Sequence, residues 1–149
     1  MTDISFLFDF TRVDTFIEQL NLTYKLSEMD GDENNPQFQL VFCSDSPNNI
    51  SDCLTSGGAL NSDVTIAPTS TPNVDASIDC SLKWENNTIS LGNEVIWSIG
   101  NNAVPLKAVF IRHKTSGYVM AYCIHITEFT VTNQIVFDEG TVFWRFVDE

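Results

Sequence analysis

Residues 104–146 read VPLKAVFIRHKTSGYVMAYCIHITEFTVTNQIVFDEGTVFWRF. The stretch is apolar, rich in β-branched and aromatic side chains, and interrupted only by short turn-forming clusters, which is the composition of strands. Residues 106–113 are apolar on both faces, with Ala108 and Phe110 on one and Val109 and Ile111 on the other. A central strand reads this way, and so does a strand covered by another subunit. Lys114-Thr115-Ser116-Gly117 is a hairpin loop in which Gly117 is free to take positive φ. Residues 118–127 run back from it, long for one strand. Further strands are expected at 129–131, 135–137 and 141–147, with Asp138-Glu139-Gly140 as a turn.

Outward from this block, residues 94–99 form a strand that Gly100-Asn101-Asn102 is expected to close. In residues 76–84, Ala76, Ile78, Cys80, Leu82 and Trp84 share a face, and Asn86-Asn87 turns the chain into 88–91, a hairpin. Residues 44–73 are rich in Ser, Asn, Thr and Pro and form the longest surface excursion. Within it only 64–67 looks strand-like, and 50–54 can make a helical turn. Residues 38–43 and 22–26 alternate as half-buried strands do, and 4–10 read as a first strand. Thr11 can cap a short helix ending at Leu20, because Val13, Phe16, Ile17 and Leu20 fall on one stripe and Asp14 and Glu18 lie near its positive end. Strands at intervals of about 8–12 residues with turn signals between them predict a mainly β chain. The expected fold is an antiparallel β-sandwich or jelly-roll-like single domain over residues 1–149, with one short N-terminal helix over 11–20.

The chain carries 20 acidic and 7 basic residues, a net charge of −13, and no cluster of Lys or Arg. A phosphate backbone would be repelled, so direct binding to nucleic acid or to an anionic membrane is disfavoured. A basic protein partner or a cation is compatible, although the acids also serve to keep an aromatic-rich protein soluble. The segment ISFLFDF lacks the positive flank and cleavage site of a signal peptide, and no apolar run approaches the ~20 residues of a membrane span. The four cysteines, Cys43, Cys53, Cys80 and Cys123, form no CxxC pair and are expected to be reduced thiols in a protein made in a cytoplasm. The sequons at Asn21, Asn49 and Asn86 are then silent.

Asp30, Asp32 and Asn34 alternate like the first half of a calcium loop. Asn35 stands where the EF-hand needs Gly and Val41 where it needs Glu, so that motif is excluded and only a weak loop site is left as a candidate. His113 and His125 fall on the two arms of the 106–127 hairpin, and Cys123 is two residues from His125 on the same face. That spacing could begin a metal site or a Cys–His nucleophilic pair, but no third ligand and no thiol-activating environment is visible, and packing is the expected role. Glu85, Glu94, Glu128 and Asp138 could supply a carboxylate pair, which linear order cannot decide. Trp84, Trp97 and Trp144 could stack on a sugar, but each lies in an alternating apolar strand, which favours burial. No phosphate-cradling loop, zinc spacing or GxSxG occurs. No enzyme activity and no cofactor is expected.

The segments VPLKAVFIRHKTSGYVMAYCIHIT and IVFDEGTVFWRF resemble the terminal β-sheet of small tailed-phage virion proteins, over about residues 95–147. The resemblance implies a capsid auxiliary (decoration) or tail-associated structural protein, such as those of phages of gut bacteria. It implies a non-enzymatic homo-oligomer without cofactor, assembled in the host cytoplasm into a virion alongside other capsid or tail subunits. Val109, Ile111, Tyr118, Met120, Tyr122 and Trp144 are then the candidate interface residues. A carbohydrate- or host-surface-binding β-sandwich module is the alternative from a different class, and a Cys/His-dependent enzyme is a third.

Overall fold

The structure, a computed structural model, describes residues 10–12, 36–85 and 88–145. Those residues form nine strands and one short helix. In chain order they are β1 (Thr11–Arg12), β2 (Phe38–Asp45), α1 (Ile50–Cys53), β3 (Thr65–Ile66), β4 (Ser77–Cys80), β5 (Leu82–Glu85), β6 (Thr88–Leu91), β7 (Val95–His113), β8 (Val119–Phe137) and β9 (Val142–Arg145). The large sheet has the order β1-β8-β7-β2-β3, with β4 also paired to β2, and the small sheet has the order β5-β6-β9. All pairings are antiparallel. The expected mainly β, antiparallel, sandwich-like architecture is the one observed.

One apolar core joins the two sheets. Phe38, Leu40, Phe42, Trp97, Val109 and Ile111 of the large sheet pack with Leu82, Ile89, Leu91 and Phe143 of the small one. The chain crosses between sheets at Ser81, the single residue separating β4 from β5. Its backbone N–H donates to Asn93 Oδ1 at 2.7 Å, and its carbonyl accepts from the Gly92 N–H at 2.7 Å. A Cβ on Gly92 would lie 3.2 Å from that same carbonyl oxygen and 2.5 Å from Ser81 Oγ, so the corner requires glycine.

Five expected strands prove to be two. The segments predicted at 94–99 and 106–113 are one 19-residue strand, β7, and those at 118–127, 129–131 and 135–137 are one 19-residue strand, β8. Gly100-Asn101-Asn102 does not close a strand. Gly100 lies opposite Asn133, both with positive φ (77° and 72°), and the register shifts there while pairing continues on either side. Turn chemistry is spent on a bulge, which bends a ribbon without ending it. A wider irregularity follows between Leu106↔Phe129 and Ala108↔Ile124, where residues 125–128 of β8 stand opposite Lys107 alone. The 114–117 loop connects the two strands as expected, with Gly117 at φ 80°.

The N-terminal helix expected over 11–20 is corrected at its first position. Thr11 and Arg12 are β-strand, paired with Tyr122 and Ala121. Strand β8 is long enough to offer backbone groups at this edge, and pairing satisfies those groups directly. Residues 13–20 lie outside the described residues, as do residues 4–9 of the strand expected at 4–10 and the strand expected at 22–26; Phe10 is described and precedes β1.

Candidate contact surface

The two-faced apolarity of residues 106–113 has an internal explanation. On one face Val109 and Ile111 enter the inter-sheet core. On the other, Ala108 and Phe110 join Val41, Cys43 and Val119 beneath Cys53, Leu54, Leu60, Val64 and Ile66. The 44–73 excursion is therefore a lid on the second face of the large sheet and more than a surface loop. It is folded locally by α1, whose cap Asn49 accepts from the Ser51 N–H at 3.2 Å, and by a bridge between Leu54 and Leu60. Lys107, almost buried, donates from Nζ to Asn48 Oδ1 and to the Ile126 carbonyl at 2.7 Å, fastening the lid to the β8 bulge.

The expected interface residues are redistributed by this packing. Val109, Ile111 and Met120 are fully buried by their own chain, which leaves no surface on them for a partner. Tyr118 and Tyr122 are half-buried, one against each apolar cluster. Trp144 pairs with Ile89 in the small sheet, and its side chain lies outside the described residues. The calcium-loop candidates Asp30, Asp32 and Asn34 also lie outside them. Among the described residues, no group of three or more His, Cys, Asp and Glu is arranged to hold a metal ion.

The residues singled out for chemistry separate. His113, at the hairpin mouth, is buried. Its Nδ1 lies 2.7 Å from Ser116 Oγ and 3.2 Å from the Ser116 backbone N–H, and its ring meets Phe38 edge-on at 5.5 Å. His125 lies opposite Lys107, six strand positions away, or roughly 20 Å along the sheet. Cys123 is opposite Val109 and far from His113, but its Sγ lies 3.9 Å from His125 Nε2. Cys123 is only 6% exposed, and His125 is half-buried. Burial and the Lys107 charge both lower the His125 pKa, favouring the neutral ring. All four cysteines are buried thiols outside any disulfide, and burial pushes the Cys43 and Cys80 thiols far up, away from the thiolate a nucleophile needs.

Trp97 is completely buried, stacks on Phe42 at 5.0 Å and donates its indole N–H to the Pro68 carbonyl at 2.8 Å. It is a core residue and no sugar platform. An open groove of about 510 Å³ lies beside it, walled by Thr69–Thr71, Val74 and Asp75 on one side and by Ile78, Ile96 and Ser98 on the other. It contains no aromatic ring.

What sequence reasoning missed is the outer face of the β7–β8 ribbon. Residues 95–106 and 129–137 contain no charged side chain, although the chain carries a net charge of −13. Their pairing is regular. Val95↔Phe137, Trp97↔Ile135, Val104↔Val131 and Leu106↔Phe129 form the rows of the core side. Ile96↔Val136, Ala103↔Thr132 and Pro105↔Thr130 form rows on the opposite side, where Ile96 is 43% exposed and Ala103, Pro105, Thr130 and Thr132 are exposed. Glu94 and Asp138 bound the ribbon at one end, and Lys107 and Glu128 bound it at the other. The signal was present as an absence of charge, but only pairing brings the two uncharged segments side by side.

Comparison with protein-family models, with characterised proteins and with solved structures returned no match to this chain.

Proposed function

We propose that this chain is a non-enzymatic structural protein of a tailed-phage virion, a capsid auxiliary or tail-associated subunit that acts through protein–protein contacts. The observation that carries the reading is the uncharged, solvent-facing ribbon on a chain of net charge −13. Charge-poor surface is what lets one subunit lie against another without desolvating ions. The resemblance of residues 95–147 to virion proteins falls on the same ribbon, and the long strands make it a rigid support. Its partners are other capsid or tail subunits, and neither nucleic acid nor a membrane surface suits its charge.

The enzyme alternative loses its support because Cys123 is buried against His125. The carbohydrate-binding alternative loses Trp97 to the core, and the groove at 69–79 offers hydroxyls and carboxylates without a stacking ring. The test is mass spectrometry of density-purified particles from an infected culture encoding this chain. The expected result is a fixed copy number per particle that survives a second gradient. Particles that are complete and lack the chain would remove the reading.

A further inference from the structure

We infer that the groove between β4 and the first half of β7 takes up an extended, basic segment of another protein, which adds there as a β-strand. The inference deepens the structural-protein reading and rests on it. The backbone specifies the occupant. Among the described residues, β4 is paired along one edge only, to β2. The Phe42 N–H donates to the Ala76 carbonyl at 2.9 Å, so alternate residues from Ala76 face β2, and Ser77 and Asp79 direct their backbone groups to the other side. The Ser77 N–H turns back to the Asp75 carbonyl, which leaves the Ser77 C=O and both Asp79 backbone groups on an open edge. β7 has a second such edge, because β2 pairs with it only from Ala108 to His113. The Ser98 carbonyl accepts from the Ser70 N–H at 2.8 Å, so Ser98 and, two residues back, Ile96 point their backbone groups away from β8.

Ser77, Asp79, Ile96 and Ser98 line the same groove, so two open edges look into one space. Donors and acceptors that recur at every second residue, about 7 Å apart, are matched by the backbone of another strand. The four residues of β4 span about 13 Å, which suits a segment of about four residues. The side chains select its sequence. Ile78 and Ile96 offer apolar contact, the Asp75 carboxylate is exposed, and no Lys or Arg lines the groove. Asp79 is already engaged by Lys114, so Asp75 is the carboxylate left for the incoming segment. Because side chains alternate along a strand, the segment sets an apolar residue against Ile78 and Ile96 and a basic one beside Asp75.

Nuclear magnetic resonance titration of the isotope-labelled full chain tests this, with a capped hexapeptide of alternating valine and lysine as the probe. Shift changes are expected to concentrate at the amides of Asp79, Ile96 and Ser98, with half-saturation at or below about 1 mM. The same peptide N-methylated at every backbone amide keeps its side chains but donates no hydrogen bond, and is expected to bind at least about tenfold more weakly. A valine–glutamate hexapeptide is expected to bind at least about threefold more weakly than the lysine one, and Asp75→Lys to reverse that preference. Asp75 is exposed, and an unchanged thermal midpoint establishes that the variant folds. No change at these amides at millimolar peptide overturns the inference, as does binding that survives N-methylation or that ignores the charge of the peptide. Shifts at the same amides when the protein alone is concentrated would put a second copy in the groove and overturn the assignment to another protein. Purified particles that contain the chain, together with a groove that takes up none of the peptides, would overturn this inference and leave the structural role standing.

Discussion

Asp79 shows how a single carboxylate is set by its neighbours. It accepts from Lys114 Nζ at 2.6 Å and from Gln39 Nε2 at 2.9 Å, while Arg112 reaches Gln39 Oε1 at 3.0 Å, so a polar row crosses β4, β2 and β7. Burial pushes the Asp79 pKa up, but the hydrogen bonds from Lys114 and Gln39 and the Lys114 charge outweigh it and hold the value below the ordinary one. A depressed folded-state pKa contributes stability that is fully present above the unfolded value of about 3.9 and is lost as pH falls through the folded value. The carboxylate and the ammonium are 40% and 43% exposed, so the contribution is modest and screened by salt. Urea midpoints taken from pH 7 down to pH 3 are expected to show the wild type ahead of Asp79→Asn at neutral pH and the gap closing below about pH 4. A gap that is constant with pH would assign the effect to packing. At the backbone, Gly100 sits at φ +77° with only Ser70 Cβ near the place a side chain would occupy, at 3.5 Å. Gly100→Ala therefore has room but not the right conformation, and about 1 kcal/mol of destabilisation by chemical denaturation is the expected cost.

Among the elements, the lid formed by the 44–73 excursion explains why β7 carries two apolar faces. Were that second face an interface with another subunit, truncating Phe110 would cost a dilute monomer little. Phe110 is instead fully buried beneath the lid with Val41, Cys43 and Cys53. Phe110→Ala is expected to cost about 3–5 kcal/mol in the urea unfolding of dilute protein, the range for deleting a buried aromatic side chain. A loss below about 1 kcal/mol would mean that the lid is not seated in solution. The lid also accounts for most of the short-range structure that its composition concealed. Ser, Asn and Pro spell loops, and the apolar residues among them (Ile50, Cys53, Leu54, Leu60, Val64 and Ile66) are too sparse to show a period, yet all reach one cluster. The strand segmentation is hidden from the sequence for a related reason. Gly and double Asn permit left-handed backbone, which serves a turn and a bulge equally, and only the partner strand decides between them.

At the scale of the molecule, charge and shape divide the work. Ten of the 20 acids fall on the described residues, and the ribbon carries none between Glu94 and Lys107 or between Glu128 and Asp138. The groove between the 69–75 turn and Ile78 and Ile96 lies at one end of the same ribbon, so Ile96 belongs to both surfaces.

By itself the sequence determined the strand class, the hairpin at 114–117, the turn at 138–140 and the burial of the alternating apolar positions. Those follow from side-chain period and turn chemistry, which act over a few residues. Tertiary structure decided two things that no local pattern contains: that β7 and β8 run unbroken through Gly100 and Asn133, and that the second apolar face of β7 is covered by the chain's own residues 50–66. Each depends on register, and register is a relation between distant segments, so it is fixed only when they pair.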